Sequence, residues 1–209
     1  MAWYDQCPDR HHKGSILLMN VLTLDVETTH RDKQGGGTTA LPYFNNRLVS
    51  VGWKWLLNQD VNYEFFYHKD KDTWYNSETV NRIQNDLDKT DVLVGQNIKF
   101  DIMWLRACGF KYDGVIYDTM VAEYLRSKGR RWSLALDALA KRYNVTQKEK
   151  DLVAPYIKEG KTFYEIPAQI VEEYGIADVV ATEEVAVKQL EAFGLTFEEI
   201  YETDSETVI

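Results

Sequence analysis

The chain contains 209 residues, of which 44% are apolar and 13% aromatic, a composition that suits one domain with a substantial core and excludes wholesale disorder. Its net charge of -9 argues against tight non-specific binding to duplex DNA, and no apolar run approaches the roughly 20 residues of a membrane-spanning helix. The two cysteines, Cys7 and Cys108, are too few for a disulfide framework and favour a reducing compartment such as the cytoplasm.

The first third of the chain predicts an extension followed by three strands. Residues 1–18 are polar and aperiodic, and we interpret them as an upstream extension or a vector-derived segment, which leaves 19–209 as the folded domain. Apolar residues alternate with other residues at 21–27, and again at 49–55 and 61–67. Alternation with a period of two is typical of strands, so a strand and then a hairpin or meander are expected.

The rest of the chain predicts strands that alternate with helices. Apolar residues three or four positions apart indicate helices, whereas short apolar runs indicate buried strands. The predicted elements are a helix at 80–87, a strand at 91–94, a helix that begins near 98 with Asn97 as its N-cap, a strand at 115–117, and helices at 118–126, 133–143 and 167–193. This order predicts an α/β fold with a mixed sheet flanked by helices.

Two carboxylates lie on one face of the first predicted strand. Asp25 and Glu27 are two residues apart, so both side chains leave the same face. Adjacent anions repel each other unless cations lie between them. An acidic pair of this kind is also common at exposed strand ends, so this motif alone leaves both interpretations open.

Two further acidic residues occur four positions after a polar residue. Asp101 follows Asn97, with Phe100 beside it, and Asp178 follows Tyr174. Each pair would share one face of a helix, and a tyrosine one turn from a metal-binding aspartate can orient a water molecule. A capped helix start and a surface aspartate are the structural alternatives. Four carboxylates without histidine or cysteine nevertheless favour hard divalent cations such as Mg²⁺ or Mn²⁺.

The three motifs together resemble a known enzyme family. Residues 25–27, 97–101 and 174–178, in this order, are similar to the motifs of the DEDD 3′–5′ exonucleases, in the subgroup with a tyrosine in the third motif. The resemblance extends over residues 20–190 and is strongest to the proofreading domain of family A (DNA polymerase I-type) enzymes. It implies a ribonuclease H-like fold with five strands and a site for two divalent metal ions.

The resemblance also assigns roles to individual residues. Asp25, Glu27 and Asp178 would bind one ion, Asp25 would bridge to the second, and Asp101 would serve the second ion largely through water. Tyr174 would position the nucleophilic water. The part that meets the terminal nucleotide would comprise the backbone around Thr28 together with Gln96, Asn97 and Phe100.

A basic cluster begins at the last residue of the helix predicted at 118–126. It contains Arg126, Lys128, Arg130, Arg131 and Trp132, a composition that suits a single-stranded nucleic acid. We therefore add Arg130 and Arg131 to the expected substrate contacts, while a buried Trp132 between two helices remains the alternative for the tryptophan. The glycines at 35–37 predict a mobile loop close to the acidic strand, without the sequence of a phosphate-binding loop.

The expected activity is metal-dependent hydrolysis at single-stranded or frayed DNA 3′ ends, with release of nucleoside 5′-monophosphates, in proofreading or DNA processing. Alternatives are an RNA-trimming exonuclease on the same fold and a nucleic-acid-binding module with a vestigial site. The chain would act alone, beside a DNA polymerase in trans, or as a fragment that lacks a C-terminal polymerase segment. The expected setting is the cytoplasm of a bacterium or of a phage-infected bacterial cell.

Overall fold

Five strands form the central sheet of the computed structural model, which describes residues 19–32, 38–42, 45–71, 77–146 and 152–206. In spatial order β5, β4, β1, β6 and β7, the sheet is antiparallel on one side of β1 and parallel on the other. Two short strands, β2 and β3, pair separately. The strands are β1 (Val21–Thr28), β2 (Arg31–Asp32), β3 (Thr38–Thr39), β4 (Leu48–Trp55), β5 (Asn62–Phe65), β6 (Val92–Gly95) and β7 (Val115–Asp118).

Helices cover both faces of this sheet. The predicted alternation in β1 is confirmed, because Leu22, Leu24 and Val26 pack under α1 and α2, whereas Val21 belongs to the core beneath α6. None of the described helices is long and apolar enough to cross a membrane. The helices are α1 (Ser77–Leu87), α2 (Lys99–Ala107), α3 (Thr119–Ser127), α4 (Leu136–Tyr143), α5 (Ala154–Lys158), α6 (Ala168–Phe193) and α7 (Phe197–Glu206).

The mixed sheet flanked by helices is confirmed, but several predicted boundaries are wrong. Residues 61–67 form a strand only at Asn62–Phe65, and α5 and α7 were not predicted. Asp118 ends β7 instead of belonging to a helix, and its carboxylate caps α3 by accepting from the amides of Met120 and Val121. The extension at 1–18 and the glycine loop at 35–37 lie outside the described residues.

The prediction that Asn97 is an N-cap is also wrong. Helix α2 begins at Lys99, so Asn97 lies before it and does not share a helix face with Asp101. Asn97 has a left-handed backbone conformation, with φ of 57°, and its amide donates to Asp118 Oδ1 at 3.0 Å. Asparagine tolerates this conformation better than most residues. A contact with a residue 21 positions away therefore overrides the local capping preference.

Candidate metal centre

The structure brings together three of the four predicted carboxylates. One carboxylate oxygen from each of Asp25, Glu27 and Asp178 lies within 4.8 Å of the others. Glu27 and Asp178 are 8% and 6% exposed, and Asp25 is half-buried. A buried set of carboxylate oxygens is unfavourable without a counter-cation and offers the ligands that Mg²⁺ and Mn²⁺ prefer. These residues therefore fit a divalent metal ion.

Small residues on β4 lie opposite the two acidic residues of β1. Asp25 lies opposite Gly52 in the β1–β4 ladder, and Glu27 lies opposite Ser50. Helix α6, which carries Asp178, crosses this face of β1 and β4. Glycine in a strand interior is typical of positions where another part of the chain approaches closely. The approach of α6 brings Asp178 to the acidic residues of β1.

Asp101 lies outside the three-carboxylate group but is attached to the same strand. It is 3% exposed, and its Oδ1 accepts a 3.0 Å hydrogen bond from the backbone amide of Val26. Strand β6 pairs with β1 only as far as Thr23. The Val26 amide therefore has no acceptor on β6, and Asp101 supplies one. Burial, followed by the nearby negative charge of Asp25, raises the pKa of Asp101 well above its usual value. A cation beside it would favour the ionised form.

Tyr174 lies one helical turn before Asp178, at the edge of the acidic group. Its ring is tilted against Phe163, with centroids 5.7 Å apart. Burial and then Asp178, Glu27 and Asp25 raise the pKa of the Tyr174 hydroxyl. The hydroxyl therefore keeps its proton at neutral pH and can donate a hydrogen bond to a water molecule or a phosphate oxygen.

The predicted nucleotide contacts lie at the same edge of the sheet. Strand β6 runs parallel to β1 with Val94 opposite Thr23, so Gln96, the first residue after β6, follows on the level of Asp25. The Gln96 amide donates to Leu134 O at 2.7 Å and accepts from Thr119 Oγ1 at 2.5 Å. Thr28 is buried where the β1–β4 register shifts, and Phe100 packs half-buried against the core. Gln96 therefore links the end of β6 to the loop that follows α3.

That loop carries the basic cluster apart from Arg126, which lies on α3. Arg130 and Arg131 are exposed, and within the described part of the chain neither has a carboxylate at ion-pair distance. Trp132 is half-buried, with the guanidinium carbons of Arg142, Arg130 and Arg126 at 4.9, 5.4 and 5.8 Å from its ring centroids. These stacked cations occupy the space around the ring. The packing fits the structural alternative for Trp132, whereas Arg130 and Arg131 remain accessible to a ligand.

A fully buried carboxylate lies beneath the residues that surround Trp132. Glu123 on α3 accepts from Arg142 at 2.8 Å, from Tyr143 at 2.6 Å and from Gln189 at 3.1 Å. Burial and then Glu123 raise the pKa of Tyr143 to about 12, so its hydroxyl remains a donor at neutral pH. Arg142 also donates to Ser133 O at 3.2 Å. Glu123 thus joins α3, α4 and α6 to the basic loop.

Sequence reasoning missed the residues that bring α6 close to the sheet. Tyr63 on β5 lies between Gly52 of β4 and Gly175 of α6. A Cβ added to Gly175 would lie 2.5 Å from the Tyr63 ring, which is closer than real atoms approach. A glycine inside a predicted helix and another inside a predicted strand were available signals of close packing. No local pattern marked Tyr63 as their partner.

The sequence and the fold of this chain are similar to those of known proteins. The sequence profile of a 3′–5′ exonuclease family, of the DNA polymerase A type, matches residues 16–191. The solved structures that are similar include Brucella melitensis NrnC with bound Mg²⁺ and the same protein bound to pGG. Each is 16% identical, with a TM-score of 0.54, and the match covers 89% of this chain and 80% of that one.

Another similar structure is described as the apo form of a nuclease. It is 17% identical, with a TM-score of 0.54, and the match covers 88% of this chain and 78% of the other. At these identities the likeness shows a shared fold, which is ribonuclease H-like. No curated protein matches the sequence significantly.

Proposed function

Because this chain belongs to the DEDD 3′–5′ exonuclease family, in the subgroup with a tyrosine in the third motif, we propose that it hydrolyses terminal phosphodiester bonds at DNA 3′ ends. The expected products are nucleoside 5′-monophosphates. The observation that carries this proposal is the convergence of oxygens from Asp25, Glu27 and Asp178 within 4.8 Å. The family uses two divalent metal ions, and these oxygens suit them.

Separate residues would bind the metal ions and orient the attacking water. When bound, a pair of divalent ions supplies an activated water near neutral pH and stabilises the charge that develops on the phosphate and the leaving oxygen. Asp25, Glu27 and Asp178 would hold one ion, Asp25 would also contact the second, and Asp101 would act on the second through water. Tyr174 would donate its hydroxyl proton in a hydrogen bond that orients the attacking water.

Replacing Tyr174 with phenylalanine should lower kcat while leaving metal affinity near that of the wild type. The change removes the orienting hydroxyl but keeps the ring beside Phe163. We expect a loss of roughly 100-fold, the lower limit of what a positioned proton-handling group contributes. Single-turnover hydrolysis of a labelled strand measures it. Tyr201→Phe on α7 is the matched control, and an equal loss in both variants would contradict the role of Tyr174.

The single-stranded substrate would enter along the edge of the sheet formed by the carboxyl ends of strands β1 and β6. The backbone near Thr28, with Gln96, Asn97 and Phe100, lies at this edge, and we propose that these residues meet the terminal nucleotide. The link from Gln96 to Leu134 brings the basic loop to the same edge. Arg130 and Arg131 would then contact phosphates of the incoming strand.

Replacing both Arg130 and Arg131 with alanine should raise KM with little change in kcat. Each lost charge-assisted contact weakens binding by about 1.4 kcal/mol, or roughly tenfold. The salt dependence of binding should also become shallower, by about 0.7 in logarithmic slope for each lost phosphate contact. Steady-state kinetics at several salt concentrations measure both effects. The control is Lys89→Ala, before the amino end of β6, which should change neither KM nor the salt dependence. An unchanged KM in the double variant would show that Arg130 and Arg131 do not contact the substrate.

RNA is the alternative substrate, and the similarity to the structure of NrnC bound to pGG supports it. Matched DNA and RNA strands of one sequence, labelled at the 5′ end and incubated with Mg²⁺ or Mn²⁺, separate the two candidates. Our proposal predicts faster stepwise shortening of DNA from its 3′ end. Preferential shortening of RNA would replace the DNA assignment, and no shortening together with no Mn²⁺ binding would support a vestigial site.

We further propose a role in proofreading or DNA processing in the cytoplasm, beside a DNA polymerase in trans or as part of one. An enzyme of this kind removes a frayed terminus faster than a paired one, because the strand must separate before it reaches the metal centre. Primers that end in a mismatch should therefore be shortened faster than fully paired primers. Equal rates on both primers would argue against proofreading but not against exonuclease activity.

A further inference from the structure

Tyr63 lies in a gap between the sheet and the helix that carries Asp178. Asp25, Gly52 and Tyr63 form one row across β1, β4 and β5, because Gly52 is the ladder partner of both other residues. Gly52 has no side chain, so the Tyr63 ring lies beside it. A Cβ added to Gly52 would lie 3.1 Å from the Tyr63 ring and 3.0 Å from a methyl group of Val179. The sheet therefore contacts α6 closely at the row that contains Asp25.

Helix α6 contacts Tyr63 along one side. The Tyr63 hydroxyl donates to Val171 O at 3.2 Å and lies 2.7 Å from Ser50 Oγ, which can donate to it. One turn further along, Gly175 lies against the same ring, where an added Cβ would be 2.6 Å from the hydroxyl oxygen. Val171, Gly175 and Val179 are four residues apart and so share one side of α6.

The residues of the metal centre lie on the neighbouring side of the same helix. Tyr174 and Asp178 immediately precede Gly175 and Val179, so the depth and rotation at which α6 packs also set where Tyr174 and Asp178 point. Ligand oxygens must lie within a few tenths of an ångström of their ideal distance from a Mg²⁺ ion. A spacer that fixes the helix at this depth would therefore affect metal affinity.

We propose that Tyr63 is a positioning residue of the metal centre, which fits between Gly52 and Gly175 and sets the distance from Asp178 to Asp25 and Glu27. It acts through α6, and its hydroxyl fixes the helix by its bond to the Val171 carbonyl. This inference rests on the proposed function, because it assumes that the three carboxylates bind a divalent ion.

The test measures Mn²⁺ affinity by calorimetry in the absence of nucleic acid. Gly175→Ala adds a methyl group where Tyr63 lies, and Tyr63→Ala removes the spacer. Each should weaken Mn²⁺ binding by 10- to 100-fold, as is usual when the support of a metal ligand is lost. Tyr63→Phe keeps the ring and loses the bonds to Val171 and Ser50, so we expect a smaller effect. Combining Gly175→Ala with Tyr63→Leu relieves the overlap and should recover part of the affinity lost by Gly175→Ala.

A control separates positioning from general destabilisation. Ile83→Val creates a small cavity in the core on the other face of the sheet, where it should lower the thermal midpoint without changing Mn²⁺ affinity. Tyr63→Phe remains informative even where Tyr63→Ala does not fold. Folded Tyr63→Phe and Gly175→Ala variants with wild-type Mn²⁺ affinity would overturn the proposal, as would an equal loss of affinity in Ile83→Val. A wild-type chain that binds no Mn²⁺ would instead overturn the proposed function itself.

Discussion

Replacing Asp178 with asparagine is expected to nearly abolish hydrolysis. The substitution keeps the shape of the side chain but removes one negative charge from the group that it forms with Asp25 and Glu27. Metal ions contribute several kcal/mol of transition-state stabilisation, and a loss of about 4 kcal/mol corresponds to roughly a 10³-fold slower reaction. Hydrolysis of a single-stranded oligonucleotide at saturating Mg²⁺ measures the loss. Asp25→Asn should be at least as severe, because Asp25 is proposed to contact both ions.

The same chemical change on the surface provides the control. Asp113 is 91% exposed and pairs with Arg106 at 3.2 Å, so Asp113→Asn alters an exposed charge. It should leave the rate within twofold of the wild type, as is usual for substitutions at such positions. Activity of Asp178→Asn within tenfold of the wild type would contradict the metal centre.

Replacing Glu123 with alanine should cause a large loss of stability. The substitution leaves the Arg142 guanidinium, the Tyr143 hydroxyl and the Gln189 amide without their buried acceptor. Breaking a buried ion pair in this way typically costs about 3–5 kcal/mol. Unfolding in urea measures the change as a lower midpoint. Because Arg142 also contacts the loop at Ser133, the folded fraction should bind single strands more weakly as well.

An exposed glutamate supplies the comparison for Glu123. Glu191 pairs with Lys188 at 2.8 Å, but its side chain is 56% exposed. Solvent screens such pairs, so Glu191→Ala should change stability by about 0.5 kcal/mol or less. A loss below 1 kcal/mol in Glu123→Ala would show that the buried cluster does not hold α3 and α4 together.

The fold and the acidic group were accessible from the sequence because their signals are local and repeated. The alternation of Leu22, Leu24 and Val26 defined the two faces of β1 and so the direction of the neighbouring carboxylates. The motif around Asp178 indicated a metal centre only in combination with the motifs at 25–27 and 97–101. Three such motifs seldom occur in the same chain, in this order, by chance.

The errors and omissions have a common physical cause in contacts between distant segments. Asn97 looked like a helix cap, but its amide is bound by Asp118, which arrives from the end of another strand. The fit of Tyr63 between Gly52 and Gly175 depends on the shapes of three elements at once. The positions of Arg126 and Arg142 beside Trp132 likewise depend on Glu123, a residue that the helical pattern of α3 did not distinguish from a surface glutamate.

The most direct test of the metal centre is anomalous scattering from crystals grown with Mn²⁺. We predict two peaks about 4 Å apart, the usual spacing in two-metal hydrolytic sites. One peak should touch oxygens of Asp25, Glu27 and Asp178, and the other should lie between Asp25 and Asp101. Full occupancy elsewhere on the molecule, with no peak within bonding distance of Asp178, would contradict the account.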